Sequence, residues 1–137
     1  MSAVEELRAL LAAQSTPPCA ELTPFELLEA DVETGMVKLR FEPQPAFRNH
    51  FGHIQGGFGV AMIDVCVSLA AFVRLRSWLP TVEIKCSFLA PASIGPCVGQ
   101  GRVLRLGRNI AFLEGMLWDP DGQLALHATA TANIVKS

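Results

Sequence analysis

The chain has 137 residues, half of them hydrophobic and 18% charged, with a net charge of −2. That balance suits one folded domain spanning 1–137 around one core and excludes a disordered chain. There is no run of Lys or Arg to form a basic footprint, which excludes nucleic acid as a partner.

Residues 1–15 begin Met-Ser-Ala-Val-Glu-Glu-Leu-Arg-Ala-Leu-Leu-Ala-Ala. Acids precede the apolar run and a basic opening is missing, so this reads as a short amphipathic N-terminal helix rather than an export signal. Thr16-Pro17-Pro18 closes it. Strands are predicted over 25–34 and 36–41 around Gly35, a hairpin signal. Pro43 and Pro45 end the second strand and release a loop over 47–53. A long helix is predicted from about Gly56 to Arg76, roughly 30 Å at about 1.5 Å per residue. Pro80 separates it from a strand over 81–88, where Val82, Ile84, Cys86 and Phe88 alternate with polar residues.

A loop follows over 91–96. Residues 98–106 are either a strand or irregular, and 110–118 are a strand reached through Gly107-Arg108-Asn109. Asp119-Pro120-Asp121-Gly122 is a turn by composition, and 124–135 form the last strand. One helix hydrophobic on all sides, with five or six antiparallel strands, predicts an α+β fold in which a curved sheet wraps a single long helix.

Cys19, Cys66, Cys86 and Cys97 form no C-x-x-C pair and sit in apolar surroundings. They read as reduced, buried thiols of a cytoplasmic protein. His50 and His53 stand together, but His127 is remote and no thiol adjoins either group. No metal site is expected from that spacing.

Between Gly57 and Val73 the one formally charged side chain is Asp64. A helix apolar all round is either a core helix or a membrane span. At the centre of a span the carboxylate costs about 2.5–3.5 kcal/mol. Alternating strands follow without a second span, so no membrane is expected. In a core, a lone acid must be satisfied or employed. Gly56 and Gly57 open the same helix, where unpaired N–H groups and the positive dipole end favour an oxygen anion. An acid and an anion hole on one segment point to carbonyl chemistry.

Those two features are too far apart to work together in one chain. If both lie on one helix, Gly56 and Asp64 are separated by about 12 Å along its axis, whereas reacting atoms must approach to roughly 3–3.5 Å. A working site therefore takes Asp64 from one copy and Gly56 from another. A two-fold dimer would hold two such sites.

The ordered motifs Asn49-x-x-Gly52-x-x-Gln55-Gly56-Gly57, Asp64, Thr81-Val82-Glu83-Ile84, Phe88-Leu89-Ala90-Pro91-Ala92, Gly95, Gly107-Arg108 and Asp121-Gly122 cover most of residues 20–135. As a set they resemble hotdog-fold acyl-CoA thioesterases of the phenylacetate-pathway, PaaI-like type. The resemblance implies hydrolysis of an acyl-CoA thioester, aryl or medium-chain, with Asp64 as nucleophile or general base. It implies that the Gly56 amide polarises the carbonyl and that Asn49 holds the carbonyl or the attacking water. Ser68 and Thr81 match positions whose hydroxyls orient that water. Gly57, Phe58, Arg105 and Arg108 are the expected substrate contacts, the arginines toward CoA phosphates. No cofactor is implied beyond the CoA of the substrate. The implied assembly is a homodimer, pairing further into a homotetramer. In one respect the chain departs from the family, which has His where Gln55 stands; Gln donates a hydrogen bond but carries no proton between states.

Structural readings compete at each position. Asp64 as a buried acid satisfied by backbone donors, Gly56-Gly57 as tight packing, Asn49 as a turn cap, Ser68 bonded to its own helix, and Thr81 as a strand-face hydroxyl are the alternatives. Surface arginines are ordinarily solvated, and His50 and His53 read as loop residues. Phe47, Phe51, Phe58, Met62 and Phe72 are the expected acyl-pocket walls. A non-catalytic acyl-CoA-binding or regulatory protein on the same fold is the alternative function. A hydratase or dehydratase stands third, since such chemistry favours a His–acid pair and the helix-start His is absent here.

Overall fold

A computed structural model describes residues 1–135; residues 136–137 of the expected domain lie outside the described residues. Two helices and six strands follow in the order α1 (Ala3–Ala12), β1 (Phe25–Asp31), β2 (Met36–Phe41), α2 (Gly56–Leu75), β3 (Thr81–Phe88), β4 (Cys97–Leu106), β5 (Ile110–Trp118) and β6 (Leu124–Asn133). Short 3-10 turns at Pro18–Glu21 and Pro45–Phe47 flank the first hairpin. The strands form one sheet in the order β1-β2-β4-β5-β6-β3, with every neighbouring pair antiparallel. The chain therefore leaves β2, crosses the sheet as α2, and returns as β3 on the far edge. The expected curved sheet around one helix is the observed architecture.

Helix α2 packs against β2 through β6. Met62, Ile63, Cys66, Val67, Leu69, Ala70, Phe72 and Val73 are buried against them. Its 20 residues are long and apolar enough to cross a membrane by length and composition alone; here the sheet supplies the apolar surroundings.

What sets the depth of this packing is glycine on β4. A Cβ on Gly101 would overlap the Cys66 carbonyl of α2, and one on Gly99 would meet the Cys66 sulfur at 2.5 Å. The helix backbone thus rests directly on the strand, an approach only glycine permits. Residues 97–106 are accordingly a regular strand, broken by a bulge between Val103 and Arg105. That resolves the choice between strand and irregular structure in favour of six strands.

The sheet leaves one stripe of α2 uncovered. Gly57 and Phe58 are exposed, and Ala61, Asp64, Val65 and Ser68 are half-buried, at the spacing of one helix face. The helix that reads as uniformly apolar therefore has two environments.

Element ends depart from the sequence reading where side chains take over backbone bonds. β1 stops at Asp31 because its carboxylate accepts the amides of Glu33 and Thr34, closing the turn that Gly35 completes at φ 72°. α2 ends at Leu75, with Arg76 left-handed at φ 54°. Ser2 caps α1 reciprocally with Glu5, which the sequence reading had not singled out. The buried-thiol reading fits Cys66 and Cys97, holds only in part for half-buried Cys86 on edge strand β3, and fails for Cys19, which is exposed on the turn that Pro17 and Pro18 hold at the surface. Burial pushes the Cys66 thiol strongly upward, and burial together with nearby Asp119 raises Cys97 to about 11.

Candidate active site

Asp64 sits at mid-helix on the uncovered stripe. Thr81, the first residue of edge strand β3, donates its hydroxyl to Asp64 Oδ1 at 2.9 Å. Ser68, one turn along α2, donates to the same oxygen at 3.5 Å. The two hydroxyls are thereby occupied with the carboxylate, and Ser68 does not bond back to its own helix. Among the described residues Oδ2 has no partner. Being half-buried at the rim of the sheet, the carboxylate is not sealed in a dry interior. One of its oxygens is held; the other is open.

The start of α2 forms the second half. Gln55 is the N-cap: its Oε1 accepts the amides of Gly57 at 2.8 Å and Phe58 at 3.3 Å. Its backbone carbonyl accepts the amides of Phe58 and Gly59. The Gly56 amide has no acceptor among the described residues. The cap thus satisfies every donor of the first turn except the one on Gly56. Gln55 is itself fastened by its own amide to the Phe47 carbonyl at 2.8 Å. Phe58 stacks on Phe47 with ring centroids 4.0 Å apart.

Asn49 lies six residues ahead of that cap. Its Oδ1 accepts the amides of Phe51 at 2.9 Å and His53 at 3.1 Å, and its backbone bonds to His53 and Gly52. The turn-cap reading describes the contacts its carbonyl oxygen makes; the amide nitrogen of the side chain is not committed to the loop.

Not every expected residue converges. Among the proposed pocket walls, Phe47, Met62 and Phe72 are core side chains 1–3% exposed, and Phe51 projects from its loop at 83% exposure. Phe58 borders the helix start while partly exposed, with buried Phe47 stacked on it, whereas Met62 and Phe72 face the core and Phe51 faces solvent. Arg105 and Arg108 are exposed at the β4–β5 turn. The register aligns Thr81, Ala132, Ala111 and Leu106 in one row. Strands about 4.8 Å apart put that turn roughly 14 Å from Thr81, at the same end of the sheet. A His–acid pair does form, His127 Nε2 to Glu114 Oε2 at 2.9 Å, with Arg102 on the other oxygen at 2.6 Å. Glu114 and His127 alternate with residues that face α2, so this cluster lies on the opposite side of the sheet. The hydrogen bond from His127, then that from Arg102, holds the Glu114 carboxyl below the usual range despite burial.

One role and one residue escaped the sequence reading. The capping role of Gln55 leaves no signal, because Gln is not a favoured N-cap residue. Phe88, read as a half-buried strand residue, instead lies over Gly56: a Cβ there would meet its ring at 3.1 Å.

The sequence profile of the thioesterase superfamily matches residues 51–126, the segment carrying the helix start, Asp64 and Thr81. The chain belongs to the thioesterase superfamily. Its six-stranded sheet around one long helix is the hotdog fold of that superfamily. A candidate esterase of Saccharolobus solfataricus is 30% identical over 117 residues, covering 82% of this chain and 84% of that protein. The crystal structure of a candidate thioesterase of Ralstonia eutropha JMP134, described as related to phenylacetic acid degradation, superposes with a TM-score of 0.84. It is 30% identical and covers 93% of this chain and 98% of its own. A Streptococcus mutans protein solved with acetyl CoA bound shares the fold at a TM-score of 0.75, with 18% identity, 82% of this chain and 90% of its own covered. This thioesterase-superfamily chain thus has PaaI-like phenylacetate-degradation proteins among its structural relatives.

Proposed function

We propose that this protein hydrolyses acyl-CoA thioesters to the free acid and CoA, at sites shared between two copies of the chain. One observation carries the reading: Thr81 and Ser68 pin one oxygen of Asp64 and leave the other open, on the same helix as the unpaired Gly56 amide. The open oxygen takes the proton of an attacking water or attacks the carbonyl carbon itself. The Gly56 amide of the other copy receives the charge that builds on the carbonyl oxygen. On the general-base route the C–S bond then breaks and the proton that Asp64 took passes to the leaving sulfur. On the nucleophilic route CoA leaves as an acyl-Asp64 anhydride forms, which a water then opens to give the free acid, its proton ending on the thiol. Thr81 and Ser68 act as positioning residues for Asp64, Gln55 as the cap that reserves the Gly56 donor, and Asn49 as the organiser of the preceding loop. Arg105 and Arg108, about 14 Å from Thr81, suit the distant phosphates of CoA.

The shared site follows from separation along α2 and from what the chain leaves uncovered. β3 is an edge strand with exposed Val82 and Phe88, beside the open stripe of α2. Unpaired strand edges invite pairing with another chain. A second copy there brings its own Gly56 toward Asp64, and such dimers can pair again into tetramers.

A thiol-release assay across aryl-acetyl, benzoyl and straight-chain acyl-CoAs tests the reading. Release by the wild type and its loss in Asp64→Asn is the expected result. Binding of acyl-CoA without release would make the protein a non-catalytic binder, and hydration of an enoyl-CoA would replace hydrolysis altogether.

A further inference from the structure

The two edges of the sheet are treated differently by the chain. β3 pairs with β6 on one side and carries exposed Val82 and Phe88. β1, the other edge, lies against α1, a helix that no step of the proposed hydrolysis uses. Leu7 of α1 is buried in the core, with Val4 and Leu11 packed beside it. Arg8 donates from Nη2 to the Leu27 carbonyl at 2.7 Å, occupying a backbone acceptor of the edge strand. Just past the helix, Gln14 Oε1 accepts the Trp78 indole N–H at 3.1 Å, and Trp78 is stacked on Phe72 with ring centroids 4.3 Å apart. The helix is therefore fastened at its middle and just beyond its end.

The strand beneath it is suited to pairing. Phe25 and Leu28 are exposed and apolar, and Leu27 lies buried between them. The acids that would repel another chain are partly neutralised within the sheet, Glu26 by Arg40 at 3.8 Å and Glu29 by Lys38 at 3.4 Å. A bulge between Leu27 and Glu29 breaks the register at one point. An edge strand of this kind is a template for a further strand unless something covers it. A helix of 10 residues is marginal in isolation. Its place on β1 therefore depends on Leu7, Arg8 and Gln14.

We infer that α1 seals the β1 edge against a second copy of this chain, so that assembly by strand pairing proceeds through β3 alone. Two copies joined through β3 still present a β1 strand at each outer end. Were those ends bare, copies would add one after another without closing, which gives a filament instead of a finite particle. With α1 docked on both ends, the joined sheet offers no further edge. The inference rests on the shared-site reading for pairing at β3, and gives a role to an element that reading leaves idle.

The test measures mass by size exclusion with light scattering, across a range of protein concentrations, for the wild type and two full-length variants. Arg8→Ala/Gln14→Ala removes both polar fasteners at exposed positions, and Leu7→Asp removes the buried one. Hydrogen exchange over residues 3–12 reports whether α1 is docked. Both variants should show faster exchange in α1 and at least about a doubling of mass, because the first end-to-end joining doubles the particle. The mass should keep rising with concentration. Adding Leu28→Lys, a charge on the bared edge, should return it to the wild-type value. Should Leu7→Asp fail to fold, the surface double variant decides alone. Unchanged mass in the folded variants would overturn the inference, whether α1 stays docked or lets go. So would growth that Leu28→Lys leaves untouched. A monomeric wild type would remove the shared site and its pairing at β3, while growth of the variants would still show that α1 guards β1.

Discussion

Thr81 Oγ1 donates to Asp64 Oδ1 at 2.9 Å, tying the edge strand of the sheet to the middle of the helix it encloses. The bond joins residues on either side of the α2–β3 connection and orients an acid whose second oxygen stays unpaired. Replacing Thr81 by Val keeps the shape and removes the donor. The expected result is a fall in kcat of about tenfold or more, the range of a hydrogen bond to a charged group, with melting temperature nearly unchanged. Unaltered turnover in Thr81→Val would show that Asp64 needs no such anchor.

Asp64→Asn retains an acceptor for Thr81 while deleting the charge. Loss of a positioned general base removes about 10²–10⁴-fold in rate. Thiol release should fall at least that far while thermal unfolding shifts by no more than a few degrees. A folded variant with near-normal rate would take Asp64 out of the mechanism.

Gly56→Pro deletes a single donor with little else disturbed. Pro suits the first helical position, and Gln55 already has the extended backbone, φ −63° and ψ 137°, that a following Pro requires. Phe88 must yield by a few tenths of an ångström, which an exposed ring can do. The expected loss is about 10²–10³-fold in kcat. Mixed with Asp64→Asn under subunit exchange, it should restore about a quarter of wild-type activity, because half the dimers are hybrids with one intact site. Without such complementation, the site is not shared.

Gln55→Ala strips the cap from Gly57 and Phe58. A lost N-cap costs about 0.5–2 kcal/mol, seen as a drop of a few degrees in melting temperature. Gln55→Ser should recover most of it, since Ser is a favoured cap residue. A melting curve of Gln55→Ala matching wild type would mean the cap contributes nothing.

The Glu114 cluster contributes to acid stability. Because its folded value lies below the ordinary 4.5, its contribution is fully present above pH 4.5 and is lost as pH falls through the folded value. Glu114→Gln should therefore flatten the decline in stability below that pH, and equilibrium unfolding across pH 3–6 reads it out. An identical acid slope in the variant would exclude the cluster as a source.

Much of this molecule is legible in local patterns. Alternation over 81–88, the long apolar run after Gly56, and prolines at 17, 18, 43, 45 and 80 mark elements because each is a property of neighbouring residues. The separation of Gly56 from Asp64 is likewise arithmetic on one helix, independent of what packs around it. Sheet order is different in kind. That β3 passes β4 and β5 to pair with β6 is a choice among distant strands, and only that choice brings Thr81 to Asp64. It also explains Gly99 and Gly101, which look like weak strand residues until the carbonyl and sulfur of Cys66 are found where their side chains would be. A groove beside Gly56 is assembled from the loop before α2, the end of β3 and the start of β6. No period in the chain encodes such a meeting, because it depends on three segments closing around one empty volume.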